Sequence, residues 1–223
     1  VTLLHGSESQ EPTSVFKEII YLRKVGGNPL DMITWILAAR KWLRKNAHRF
    51  DVLHAVNGFH MVLGPAHYAD TKLGLPAVVK IANHNGDLQT KGGWKRLVGL
   101  AQRRQRMITE VTATIGLSEE VRGELRGYGV SEERIFAIPN SANLSRFRTS
   151  TPEVRARLRA EFGLEDSRVI VFAGELSARK RPHLLLEALA IAVQNGLDWR
   201  VLFVGPQTDD EYGANLCSMM DEL

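Results

Sequence analysis

The chain has 223 residues, 44% hydrophobic and 24% charged, with a formal net charge of +4, a composition that excludes a disordered or fibrous protein and allows one large α/β domain or two small ones. Its single cysteine, Cys217, excludes an internal disulfide and points to a reducing compartment such as the cytosol. No apolar run reaches the roughly 18 residues needed to span a bilayer.

Strand-then-helix units run along most of the sequence. Residues 30–47 place Met32, Ile36, Ala39 and Leu43 on one stripe at helical spacing, with Trp35 and Trp42 alongside. Residues 51–56, DVLHAV, read as a buried strand that turns at Asn57-Gly58, and His54 within it as a satisfied histidine of the core or its rim. A helix over 61–74 ends at Gly74. The β-branched run 76–82 is the next strand and opens into the polar loop NHNGDL, residues 83–88. Lys80 inside that strand calls for a neighbouring anion, because an unpaired buried ammonium is costly.

Residues 91–106 are dense in Lys and Arg and hold no acid. They form a basic helix reaching Met107, with Trp94, Leu97, Val98, Ala101 and Met107 on its less polar side. One reading lays this helix on an anionic membrane surface; the plainer one gives it a solvated cationic face. It lacks the aromatic platforms of single-strand nucleic-acid binders. The alternation over 108–117 predicts a strand, after which Ser118 caps a helix with Glu119 and Glu120 in its first turn and Gly127 and Gly129 at its end. A strand over 134–139 runs out at Pro139-Asn140, and 141–150 reads as a connection between domains. A helix over 152–162, a strand over 168–174, a helix over 182–196, a strand over 199–205 and a last helix follow. The chain opens at Val1 without an initiator Met and closes on what reads as an unfinished helix, so it is expected to be a piece of a longer protein. Short apolar strands separated by helices imply parallel sheets with both faces covered.

Ligands of open parallel sheets sit at the carboxyl ends of strands, which singles out the loops after Val56, Ala82, Ala173 and Val204. The loop GELSARKRPH sets Arg179, Lys180 and Arg181 beside the start of a helix opened by Pro182. Exposed N–H groups and the positive end of the helix dipole make such a junction fit for phosphate; otherwise three basic side chains there simply meet water. The following helix is apolar nearly all round apart from His183, Glu187 and Gln194, so it is expected to pack on the sheet. In NHNGDL, His84 and Asp87 are the candidate catalytic residues, able to contact an acceptor or a transferring sugar, with Asn57, Gly58, Asn85 and Gly86 lining the same edge; the alternative is a polar turn closed by Gly86.

Five stretches together resemble family 4 retaining glycosyltransferases. They are DVLHAVNGF (51–59), GLPAVVKIANHNGD (74–87), IGLSEEVRGELRGYGVSEERIFAIPNSANLSRF (115–147), VFAGELSARKRPHLLLEAL (171–189) and WRVLFVGP (199–206). Each is degenerate alone, but their order and spacing agree over about 50–206. The resemblance implies a GT-B fold of two Rossmann-like domains, both incomplete, with 1–143 the end of the acceptor-side domain and 144–223 the start of the nucleotide-sugar domain. It implies transfer of a sugar from a UDP- or GDP-linked donor to a saccharide or lipid-linked hydroxyl, with retention by front-face attack and no metal or other cofactor. Lys180 matches the lysine that neutralises the donor diphosphate, and Gly174 the glycine of the loop approaching it; Arg179 or Arg181 is the candidate for the second donor-phosphate contact that the family's arginine makes. The expected setting is cytoplasmic and no nucleic-acid partner is expected; contact with the inner membrane face through 91–107 stays an alternative to a plain solvated face.

The sequence departs from the family at Glu175, where an arginine is usual, and at Asn140-Ser-Ala-Asn143 in place of Asn-Gly-Val-Asp. In direct register the family's usual histidine position falls at Ala82, two residues before His84. The paired-glutamate motif is expected beyond Leu223, and the first strand with its glycine-rich loop before Val1. The isolated piece is expected to be inactive. Two rival readings are a non-catalytic Rossmann-type phosphate-binding module, favoured by Glu175, and a basic protein that binds anionic surfaces through 91–106.

Overall fold

The computed structural model describes residues 2–5, 18–22, 29–88, 99–164, 167–207 and 210–221. The chain divides into two compact units, Val1–Ala142 and Asn143–Leu223.

In the first unit, strands β1 (Thr2–His5) and β2 (Glu18–Tyr21) pair in parallel as a sheet of their own. The sequence reading had no element before residue 30. Arg49 holds Glu18 by an ion pair at 2.8 Å, tying this pair to the end of the next helix. That helix, α1 (Pro29–Asn46), buries Trp35, Ala39 and Leu43 at i, i+4 and i+8. It packs on α2 (His60–Leu73), where the fully buried Ala69 shares a cluster with Leu43 and Leu75. Gly74 ends α2 at φ 67, a left-handed cap that glycine adopts without penalty.

The main sheet is parallel and runs β3 (Leu53–Val56), β4 (Ala77–Ile81), β5 (Ala113–Gly116), β6 (Ile135–Ala137) in order. Ala77, Val79 and Ile81 turn one face of β4 into a core with Leu63, Ile108, Val111, Val121 and Leu125. Each fully buried Leu or Ile in it stabilises the fold by roughly 1.5–3 kcal/mol. Helices α3 (Leu100–Glu110) and α4 (Glu119–Gly127) pack against this core, and β5 is buried along its length. Covering is not complete on both faces as the strand pattern predicts. Val56, Phe136 and Ile138 remain about half exposed, and His54 lies exposed on β3 instead of in or beside the core.

Residues 108–110 were expected to begin a strand; they continue α3. Glu110 accepts hydrogen bonds from Arg106 at 2.7 Å and pairs with His67 at 2.6 Å, which secures the last helical turn, and Ile108 is fully buried. The basic stretch is not a uniformly solvated face either. Arg104 is only 8% exposed and donates to the Asp87 carbonyl at 3.5 Å. Residues 91–98, which carry the rest of that stretch, lie outside the described residues.

The second unit holds α5 (Pro152–Glu161), the parallel strands β7 (Arg168–Ala173) and β8 (Trp199–Val204), α6 (Pro182–Gln194) between them and α7 (Asp210–Asp221). Thr151 caps α5 by accepting from the Val154 amide. The apolar α6 is not enclosed as expected. Pro182 and Leu186 are buried, while Leu184, Ile191 and Val193 are exposed, because among the described residues its elements of contact are β8 and α7.

Candidate functional site

At the carboxyl edge of the main sheet, two loops meet. Asn57, at φ 80, ends β3 in the left-handed region that asparagine tolerates, and its amide donates to the Lys80 carbonyl at 2.8 Å. Gly58 follows with no room for a side chain, since a Cβ would stand 2.7 Å from Leu88 Cδ2 and 3.2 Å from the Asp87 carbonyl oxygen. The loops of Asn57-Gly58 and 83–88 are thus brought together.

Within 83–88, the amides of Gly86 and Asp87 both donate to the Asn83 carbonyl at 3.3 Å. Asp87 has no exposure at all. Its Oδ2 accepts from the Ala82 amide at 2.8 Å and its Oδ1 from the Asn83 side chain at 3.0 Å. Leu88 anchors the loop in the core, and its carbonyl accepts from the Tyr128 hydroxyl at 3.0 Å. His84 and Asn85 remain exposed at the tip, with Asn85 at φ 53. Behind them Glu124 of α4 accepts the Asn85 amide at 3.0 Å and lies 3.3 Å from His84 Nδ1, while the Asn85 side-chain amide is 2.6 Å from His84 Nε2. Among the described residues Lys80 has no carboxylate partner; its ammonium donates to Asn140 Oδ1 at 2.6 Å.

Three buried or half-buried groups beneath this edge were missed by the sequence reading. Glu124 falls between Val121 and Leu125, and Arg104 shortly before Met107 and Ile108, so helical spacing alone places both on inward faces. His60 carries no such signal at the first position of α2. Burial, reinforced by Arg104 and Arg103 and opposed by a backbone hydrogen bond at Leu100, pushes its imidazole down to about 4. Burial likewise pushes Arg104 below its usual value, opposed by Tyr128 and Asp87.

In the second unit the loop after β7 lies beside the loop after β8. Gly174 donates to the Val204 carbonyl at 2.9 Å and Leu176 to the Pro206 carbonyl at 2.9 Å. Gly205 is obligatory there, because a Cβ would fall 1.8 Å from the Gly174 carbonyl oxygen. The amides of Lys180 and Arg181 both donate to the Ser177 carbonyl, forming a turn that Arg181, at φ 54, joins to Pro182 and α6. Glu175 does not face the helix end uncompensated: Arg179 pairs with it at 3.3 Å. Lys180 is exposed, and among the described residues no ion pair or hydrogen bond holds its ammonium.

Parallel strands whose carboxyl-edge loops carry the polar residues, in two successive α/β units, define the Rossmann-like architecture of GT-B glycosyltransferases. The chain belongs to the glycosyl transferase 4-like domain family, whose profile matches residues 10–141. It is 30% identical over 178 residues to a D-inositol 3-phosphate glycosyltransferase of Nocardia farcinica, covering 77% of this chain and 33% of that protein. Among solved structures, it is similar to Anabaena HepE in complex with UDP, with TM-score 0.70 at 17% identity over 92% of this chain and 52% of that one. A sucrose-phosphate synthase of Thermosynechococcus elongatus superposes with TM-score 0.61 at 16% identity, covering 98% and 63%. The chain therefore spans about a third of the length of that curated relative and about half that of HepE. Among the described residues no helix is long and apolar enough to cross a membrane.

Proposed function

We propose that the chain is part of a glycosyltransferase that moves a sugar from a nucleotide-linked donor to a hydroxyl acceptor, with retention of configuration. The carrying observation is Lys180: a cation with no ion pair or hydrogen bond among the described residues, on the strand-to-helix turn of the second unit and beside a glycine pair that lets two loops abut. Negative charge builds on the leaving diphosphate as the glycosidic bond breaks, and an ammonium carried on that turn stabilises it without a metal ion. Arg179 neutralises Glu175, so the acid that replaces the family's arginine does not cancel Lys180, and the nearby cation Arg181 takes the second phosphate. The first unit supplies the acceptor side through His84 and Asn85. Asp87 shapes that loop from inside, and its carboxylate does not reach a substrate. Family membership supports the reaction class, and the similarity to HepE, solved with UDP and with UDP-glucose, supports a sugar nucleotide. UDP or GDP as the base, a saccharide or lipid-linked acceptor and a cytoplasmic setting complete the reading.

Calorimetric titration of the complete protein with UDP and with GDP tests it. Lys180→Ala should weaken binding by about 1.5–3 kcal/mol, the worth of a charge-assisted hydrogen bond. A loss below about 1 kcal/mol for both nucleotides would remove the lysine from the donor site.

A further inference from the structure

The tip of the 83–88 loop is held from behind by one buried acid. The Glu124 side chain is 7% exposed, and its Oε2 accepts the Asn85 amide at 3.0 Å and lies 3.3 Å from Nδ1 of His84. Its Oε1 is buried with no hydrogen-bond partner among the described residues. Burying a carboxylate with an oxygen left unused is costly, and such a group calls for an explanation. Core packing does not supply one, because Val121 and Leu125 already fill the inward stripe of α4.

The carboxylate's other oxygen, Oε2, faces His84. An imidazole set between an acceptor at one nitrogen and a donor at the other has a single favoured tautomer. Glu124 is an acceptor only, so Nδ1 carries the proton; the Asn85 side-chain amide, 2.6 Å away, donates to Nε2. The opposite tautomer would set a lone pair against the carboxylate. The other acid near this imidazole, Glu120, has its carboxyl held low first by Ser118 and its own backbone amide, with His84 a lesser cause.

We propose that Glu124 is a positioning residue: its buried carboxylate fixes His84 as the Nδ1–H tautomer and pins the Asn85 backbone, aiming the Nε2 lone pair at the place a substrate hydroxyl takes from the exposed Asn85 amide. This rests on the reading that the loop faces the acceptor.

The test has two arms. The 223-residue chain, with 15N-labelled histidine, is measured near pH 8.5, about two units above an ordinary imidazole pKa, where ring-nitrogen shifts report the neutral tautomer. His84 should show a protonated Nδ1 in the wild type and in Glu124→Gln, which keeps one acceptor oxygen, and should lose that preference in Glu124→Ala. An Nε2–H form in the wild type, or an unchanged Nδ1–H form in Glu124→Ala, overturns the proposal. In the second arm the complete protein is assayed for sugar transfer. Glu124→Ala should lower kcat about tenfold with the donor KM within about twofold, the size of one lost hydrogen bond that orients the acceptor hydroxyl, and Glu124→Gln should restore most of it. Should His84→Ala lower kcat while Glu124→Ala leaves it unchanged, the positioning role fails; should His84→Ala itself transfer sugar at the wild-type rate, the acceptor-side reading fails instead.

Discussion

Asp87 and Lys180 show how differently two charged loop residues are used. Asp87, without exposure, closes its loop by accepting from the Ala82 and Asn83 amides and the Asn83 side chain. Hydrogen bonds to a charged group contribute about 1.5–3 kcal/mol, so Asp87→Ala should destabilise the first unit by roughly 2–3 kcal/mol, read as a lower urea midpoint with an unchanged slope. Gly58→Ala tests the same edge sterically. Its Cβ would meet Leu88 Cδ2 at 2.7 Å, and overpacking of this kind costs about 1–3 kcal/mol. The position of Lys180 was legible in the sequence, because a strand, a glycine, a basic run and a proline in that order place the lysine at a strand-to-helix turn whatever packs around it. The inward direction of Asp87 was not, since it depends on Leu88 entering a core made by residues distant in the chain.

At the scale of elements, the packing of the α2 start against α3 should respond to pH. His60 lies between them with its pKa lowered to about 4. The native state therefore disfavours the protonated ring, and the unfolded chain binds a proton that the native state refuses. Stability is unaffected above pH ~6.5, declines as pH falls from ~6.5 toward ~4, and levels off below that. For a half-buried ring, allowing for solvent screening, the loss is on the order of 1–2 kcal/mol. Urea titrations of wild type and His60→Gln at pH 7 and pH 4.5 check it: the variant should lose less stability between them, and equal losses would exclude His60 as the cause. The order and kind of these elements were legible from apolar spacing, and most boundaries fell within two residues. The failure at 108–110 was one of context. Alternation there looks extended, but Arg106 and His67 secure Glu110 in a helical turn, and a partner 43 positions away in sequence leaves no local mark.

Across the whole molecule, the proposed function divides the chemistry between the two units, and that division can be measured. If Lys180 and its neighbours bind a nucleoside diphosphate, the free energy of binding adds to the stability of the unit that binds it. At a hundredfold excess over Kd that is about 2.7 kcal/mol, or roughly a hundredfold slowing of amide exchange for amides that open with that unit. With UDP at that excess, amides of β7, β8 and the 174–181 loop should therefore slow by up to about two orders of magnitude, while those of β3, β4 and the 83–88 loop keep their rates. Equal slowing in both would mean that the nucleotide engages or couples the units together, and slowing confined to the first would remove the donor site from Lys180. Opposite behaviour with a candidate acceptor, protecting 83–88 and leaving β7 and β8 unchanged, would place the two substrates on separate units.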